Sequence, residues 1–236
     1  MSELTIPGSR PSQTRRPRAK KAAVLGFSLP ERLFILAVDD ERGAIEPSHK
    51  EKLRFGLAAA FLAELALAKR IEMRDDRLFL ADAAPSEDTL LDGILELIAA
   101  EEKPHKLVRW LEIIGKQPII KQTAVRLQER HVINIEEKRY FWVIPYEVYP
   151  QVDASAKYWV KQRLRDIVLA AEAPSPADVT LLGLVKACNL LRLVFTRDER
   201  KSAAKKVELL AQGDIFSEAT AKVLAEIETA LMNSVL

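Results

Sequence analysis

The segment from Lys50 to Lys69 contains no proline and a single glycine, Gly56, and is dominated by alanine and leucine. Both are strong helix formers, so the segment predicts a helix of about five turns. Ser48, followed three residues later by Glu51, has the pattern of a capping box and places the helix start there. Leu53, Leu57, Ala60, Phe61, Glu64, Leu65 and Ala68 recur at steps of three or four, and Phe55, Ala59, Leu62 and Ala66 widen the apolar surface beyond one stripe. A helix that is apolar on most sides must be wrapped by other elements, which makes this one the centre of the fold. After Arg70 the period falls to two: Ile71, Met73, Leu78 and Leu80 alternate with charged residues around Asp75-Asp76, the pattern of a short β-hairpin.

Hydrophobic residues make up 48% of the 236, enough for a sizeable core, and glycine occurs only 8 times. The expected fold is therefore mainly α: one compact helical domain over residues 25–236, with central apolar helices, amphipathic outer helices and two short β-hairpins. Residues 1–24 have no apolar period and carry a net charge of +5 against +2 for the whole chain, so the remainder carries −3. They are expected to form a disordered basic tail, which either solubilises the chain or, through Arg15, Arg16, Arg18, Lys20 and Lys21, tethers it to anionic lipid or an acidic partner. Cys188 is the one cysteine, so the chain holds no internal disulfide, and a reducing compartment is expected. The longest apolar runs fall short of the roughly 20 residues that span a bilayer. No signal-peptide pattern follows the basic N-terminus. The expected location is cytoplasmic, with any membrane association peripheral.

Leu33, Leu36 and Ala37 mark a short helix that ends before Asp39-Asp40-Glu41-Arg42-Gly43, where Gly43 suits a left-handed turn position. Amphipathic helices follow at Leu90–Ile98 and Leu107–Ile114. A helix over Pro118–Arg130 then leads into strands Val132–Ile135 and Tyr140–Ile144 around Glu136-Glu137-Lys138-Arg139, a second helix-then-hairpin unit resembling a winged module. In this reading Tyr140, Phe141, Trp142, Val143 and Ile144 leave both faces of one strand, and one face needs cover. Self-association through the 132–144 hairpin to a homo-oligomer is the expected cover. The alternatives are a lipid surface, or residues 145–160 folded back over the strand. Helices are expected over Ala154–Glu172, Ala177–Phe195, Asp198–Ala211 and Ser217–Asn233.

No glycine-rich phosphate loop, nucleophile elbow, dinucleotide fingerprint or His pair at metal spacing is present, so no catalytic residue, metal or cofactor is assigned and no enzyme activity is expected. His49, His105 and His131 lie near helix ends, where surface or capping roles are expected. Binding chemistry is better represented. Lys116, Lys121, Arg126 and Arg130 outweigh Glu129, and Lys50, Lys52 and Arg54 cluster at the start of the central helix. His49, Lys50, Lys116, Lys121 and Arg126 are the candidate anionic-headgroup residues, and Tyr140, Phe141, Trp142 and Val143 the candidate oligomer or membrane hairpin. The alternative is a winged-helix nucleic-acid binder reading DNA with Lys121, Gln122, Arg126, Gln128 and Arg130. The central helix offers no side chains for base edges, and nucleic acid is the less favoured partner.

The runs LPERLFILAVDDERG (29–43), GLAAAFLAELALAKRIEM (56–73), DTLLDGILELI (88–98), LQERHVINIEEKRYFWV (127–143) and VKQRLRDIV (160–168) resemble, in order and spacing, the Golgi phosphoprotein 3 domain family, over roughly residues 29–236. The resemblance implies a cytosolic, mostly helical protein that docks on Golgi membranes by binding phosphatidylinositol 4-phosphate. It also implies a β-hairpin for oligomerisation and membrane contact, and an adaptor role in trafficking or protein retention, with protein cargo as a partner. The family's pocket tryptophan falls on His49, the arginine of its central helix on Ala58, and its two further basic positions near Gln117 and Ile120. Lys50, Lys116 and Lys121 stand close to these positions in sequence.

Overall fold

The computed structural model describes residues 26–211 and 216–234. Within them lie α1 (Leu29–Ala37), α2 (Pro47–Leu67), the hairpin β1 (Ile71–Arg74) and β2 (Arg77–Leu80), α3 (Thr89–Ala100), α4 (Leu107–Gly115) and α5 (Ile119–Glu129). The hairpin β3 (Glu136–Tyr140) and β4 (Ile144–Val148) follows, then α6 (Ala154–Leu169), α7 (Pro176–Ala187), α8 (Leu191–Val194), α9 (Arg200–Ala211) and α10 (Glu218–Ser234). The fold is mainly α, with two small antiparallel two-stranded sheets. The basic-tail residues Arg15, Arg16, Arg18, Lys20 and Lys21 lie outside the described residues.

Helix α2 is the centre that its composition demands. Every residue from Phe55 to Ala63 is buried, and α1, α3, α4, α5, α7, α10 and β1 all pack on it. The run of small residues in its middle lets these elements approach one axis closely. Gly56 marks the tightest approach: a Cβ there would run into the Cys188 sulfur at the end of α7. Burial pushes the Cys188 thiol up to about 12, so it serves as a packing group.

Three local expectations are corrected. Helix α2 starts at Pro47 behind Glu46, without a side-chain cap, so the Ser48 and Glu51 pair lies inside the first turn; the fixed φ of Pro47 sets the start. The helix expected over Ala177–Phe195 breaks into α7 and α8, because Asn189 turns left-handed at φ 59° and the Leu190 N–H donates back to the Val185 carbonyl. The second hairpin forms four residues later than expected. Ile133 pairs with Gln151, Asn134 donates to the Pro150 carbonyl, and the same register runs on through Glu136 and Val148 to Tyr140 and Ile144. The apolar run is therefore the apex of the hairpin, and the charged stretch 136–139 is a strand.

Buried charges set helix orientation. Glu31, 1% exposed, receives the Arg130 guanidinium at 2.8 Å and Arg126 at 3.3 Å, which ties α1 to α5. Asp178 at the start of α7 takes Arg163 of α6 at 2.7 Å, with Arg32 of α1 at 3.7 Å. Glu64 of α2 accepts the Leu29 N–H at 3.1 Å. Burial, with Asp88 and Glu31 nearby, raises its carboxyl from 4.5 to about 7.

Two outcomes follow from this packing. Gly56→Ala should destabilise the chain by roughly 1–3 kcal/mol through overpacking, and Cys188→Ala in the same chain should recover most of that loss in urea denaturation. The raised Glu64 carboxyl costs the fold nothing below pH 4.5, where both states are protonated, and its cost grows as pH rises through about 7. Glu64→Gln should therefore gain about 1–3 kcal/mol on the wild type across that window, read as urea midpoints against pH.

Candidate functional site

The β3–β4 arm projects from the body. Residues Glu136–Arg139 and Phe141–Glu147 are exposed, and only its root enters the core, where Val148 and Tyr149 are buried and Tyr149 meets Phe34 edge to face at 5.1 Å. Gly43, at φ 63°, lets the Asp39–Gly43 turn close against Pro150, where a Cβ would lie 2.9 Å from the Pro150 nitrogen. An isolated two-stranded hairpin is marginal in water, so this root contact holds the arm in place.

At the apex Phe141 is 76% exposed, Trp142 90% and Val143 78%. Phe141 and Trp142 also occupy left-handed backbone, at φ 47° and 66°. Bulky side chains there cost about 1–2 kcal/mol each, whereas glycine would cost nothing. The apex thus retains aromatic groups at positions where neither burial nor backbone preference favours them. Ile144, exposed beside them, extends the apolar surface.

Charge is ordered along the arm. Immediately behind the apex stand Arg139, opposite Pro145, and Lys138, opposite Tyr146; behind these Glu137 faces Glu147. At about 3.4 Å per residue the cations lie roughly 10–14 Å behind Trp142 and the acids about 17 Å behind it. An apolar tip, then a cationic collar, then acids is the sequence of environments met on entering an anionic bilayer surface.

The structure disperses the candidate headgroup residues. His49 is buried, with its ring 2.9 Å from Arg192 Nη2 and 3.0 Å from Glu46, and burial and Arg192 hold its pKa below the ordinary histidine value. Lys50 is exposed beside a broad groove of about 1030 Å³ that also touches Ile144 and Tyr146. Lys116 is exposed at the end of α4. Lys121 and Arg126 share a cavity of about 490 Å³ with Glu87, Asp88 and Glu129, where Arg126 is held by Asp88 and Glu31. Ala58 is fully buried, and Gln117 and Ile120 bring no charge. Arg126 and Arg130 are engaged in ion pairs and Lys121 lies 3.9 Å from Glu147, so α5 does not present the free basic face of a recognition helix.

Lys138 and Arg139 carry the collar, and sequence reasoning placed both in a turn. The signal that identifies them is the bond of residues 133–134 to 150–151, which shifts the apex to Trp142. Among the described residues no helix is long and apolar enough to cross a membrane, and no cluster of potential ligands could hold a metal ion.

The chain is similar to the vacuolar protein sorting-associated protein 74 of Eremothecium gossypii, at 24% identity over 166 residues that cover 61% of this chain and 49% of that protein. It thus spans about half the length of the curated relative it matches. The family model of Golgi phosphoprotein 3 (GPP34) matches residues 29–227, from the first turn of α1 into α10 and through the projecting hairpin. With the match running through the helical body and the arm alike, the chain belongs to the Golgi phosphoprotein 3 (GPP34) family.

Proposed function

We propose that the protein is a peripheral membrane adaptor of the trafficking type, which docks on anionic phospholipid by inserting the hairpin apex into the bilayer interface. The observation that carries this reading is the order along the arm: Phe141, Trp142 and Val143 at the tip, Lys138 and Arg139 behind them, and Glu137 and Glu147 farthest from the surface. Family membership and the sorting role in the relative's name support the trafficking part. Indole and phenyl rings favour the interface. Three such side chains contribute roughly 4.5–9 kcal/mol gross, and two basic groups about 1 kcal/mol each. After immobilisation this supports reversible binding in the range of tens of μM, which a basic tail would strengthen. The resemblance names phosphatidylinositol 4-phosphate as the headgroup. Here the cations of the arm take over a role for which the buried Ala58 and the uncharged Gln117 and Ile120 have no means.

A lipid surface suits the apex better than a second copy of the chain. Stable protein interfaces use about 20–30 residues a side, and a projecting arm offers far fewer. Protein cargo would be engaged by the helical body, leaving the arm to the membrane.

Trp142→Gly separates insertion from folding. It should leave stability unchanged or raise it by about 1 kcal/mol, because glycine accepts the left-handed backbone. It should also weaken flotation with anionic vesicles about tenfold. A loss of stability comparable to a core truncation, with flotation unchanged, would make the apex a structural feature instead.

Lys138→Glu with Arg139→Glu should weaken binding to phosphatidylserine vesicles more than tenfold at low salt, with the difference shrinking as salt screens the surface. Lys116→Glu with Lys121→Glu should have the smaller effect. The reverse order of the two double variants would move headgroup contact from the arm to the α4–α5 region.

A further inference from the structure

Between the arm and the body lies a cavity of about 510 Å³, lined by Asp40, Glu41, Arg42, Lys138, Lys157 and Lys161 among others. Its four cations come from three separate segments: the turn before α2, strand β3 and helix α6. Lys157 is 4% exposed; its ammonium donates to the Val38 carbonyl and lies 2.6 Å from Asp40. Asp40 also receives Lys161 at 3.0 Å and the Gln151 amide at 3.2 Å. A single carboxylate, itself largely exposed on a surface turn, therefore sits where three donors converge, the position a bound anion would take. Arg42 and Lys138 line the same space and form no ion pair within 4 Å among the described residues, and the Arg42 charge helps hold the neighbouring Asp39 carboxyl below its ordinary value.

We propose that this cavity is a site for a phosphate monoester, which displaces Asp40 from Lys157 and Lys161, recruits Arg42 and Lys138, and so braces the projecting arm against the body. The charge balance selects the chemical class. A phosphodiester carries one negative charge, as Asp40 does, and gains little by replacing it. A monoester carries about −1.5 to −2 at neutral pH, which matches the surplus that the four cations leave over Asp40 and Glu41, and it offers three acceptor oxygens for the donors Asp40 holds. The volume exceeds that of a bare phosphate and leaves room for the esterified group. Lys138 carries the coupling, since it is the cation of the arm that reaches the cavity, and the arm is otherwise held at its root. The inference deepens the membrane reading of the arm and rests on it for its purpose, while the binding chemistry stands alone.

The test is thermal unfolding of the full chain in inorganic phosphate against chloride at equal ionic strength, where a ligand of the folded state raises Tm. Phosphate should stabilise the wild type. Asp40→Asn should melt lower without phosphate, because Lys157 loses its carboxylate, and should reach its half-maximal phosphate response at about tenfold lower concentration. Lys138→Gln with Lys161→Gln should remove the response. An unchanged phosphate midpoint in Asp40→Asn, or a wild-type response in the double lysine variant, overturns the proposal. If Asp40→Asn does not fold, the double variant decides alone. Glycerol 3-phosphate in solution and vesicles of phosphatidic acid against phosphatidylserine at matched charge separate the sources. A preference for phosphatidic acid that the double variant loses assigns a lipid headgroup; no preference, with the glycerol 3-phosphate response kept, assigns a soluble ester. The phosphate arm contains no vesicles, so its outcome is independent of whether the apex enters a bilayer.

Discussion

The burial of α2 on every side is the constraint on which the rest of the molecule depends. A helix with Ala58, Ala59, Ala60 and Ala63 in its middle offers little side-chain volume of its own, so stability must come from neighbours drawn close to its axis. That is why α1, α3, α4, α5, α7, α10 and β1 share it, and why Gly56 faces the Cys188 sulfur without a Cβ between them. Elements spent on covering α2 cannot also cover the β3–β4 arm, which is left to project.

Placement of the arm follows from charges and backbone pairing around α1. Glu31 and Asp178 draw α5, α6 and α7 onto α1 through Arg126, Arg130, Arg163 and Arg32. Removing one partner of such a pair strands the other charge in the interior, so the network favours one arrangement of helices over alternatives with the same apolar contacts. The turn after α1 then meets Tyr149 and Pro150 at Gly43, and the root of the arm is seated on the body.

Along the arm the side chains are ordered on one axis. Apolar groups lead, cations follow and acids trail, with Phe141 and Trp142 exposed in left-handed backbone. The same strand turns Lys138 toward the cavity that Asp40, Lys157 and Lys161 share with Arg42. The apolar apex and a cavity-lining cation thus belong to a single two-stranded element.

The sequence by itself determined the central helix, the hairpin around Asp75-Asp76 and the helical character of the C-terminal third, because these rest on composition and on periods that operate within a few turns; the family rests on the resemblance of the runs between residues 29 and 168. It also determined that Phe141, Trp142 and Val143 are exceptional. Only the tertiary structure decided where they stand. The register of the arm is set by bonds of Ile133 and Asn134 to Gln151 and Pro150, and a period-two pattern reads equally well four residues earlier. It decided too that Arg126 belongs to Glu31 and Asp88 and is not free for a headgroup, and that Lys157 and Lys161 meet Asp40 across more than a hundred residues of chain. Charges cluster in sequence for many reasons; which acid each cation meets is fixed by packing between distant segments, and no local pattern encodes it.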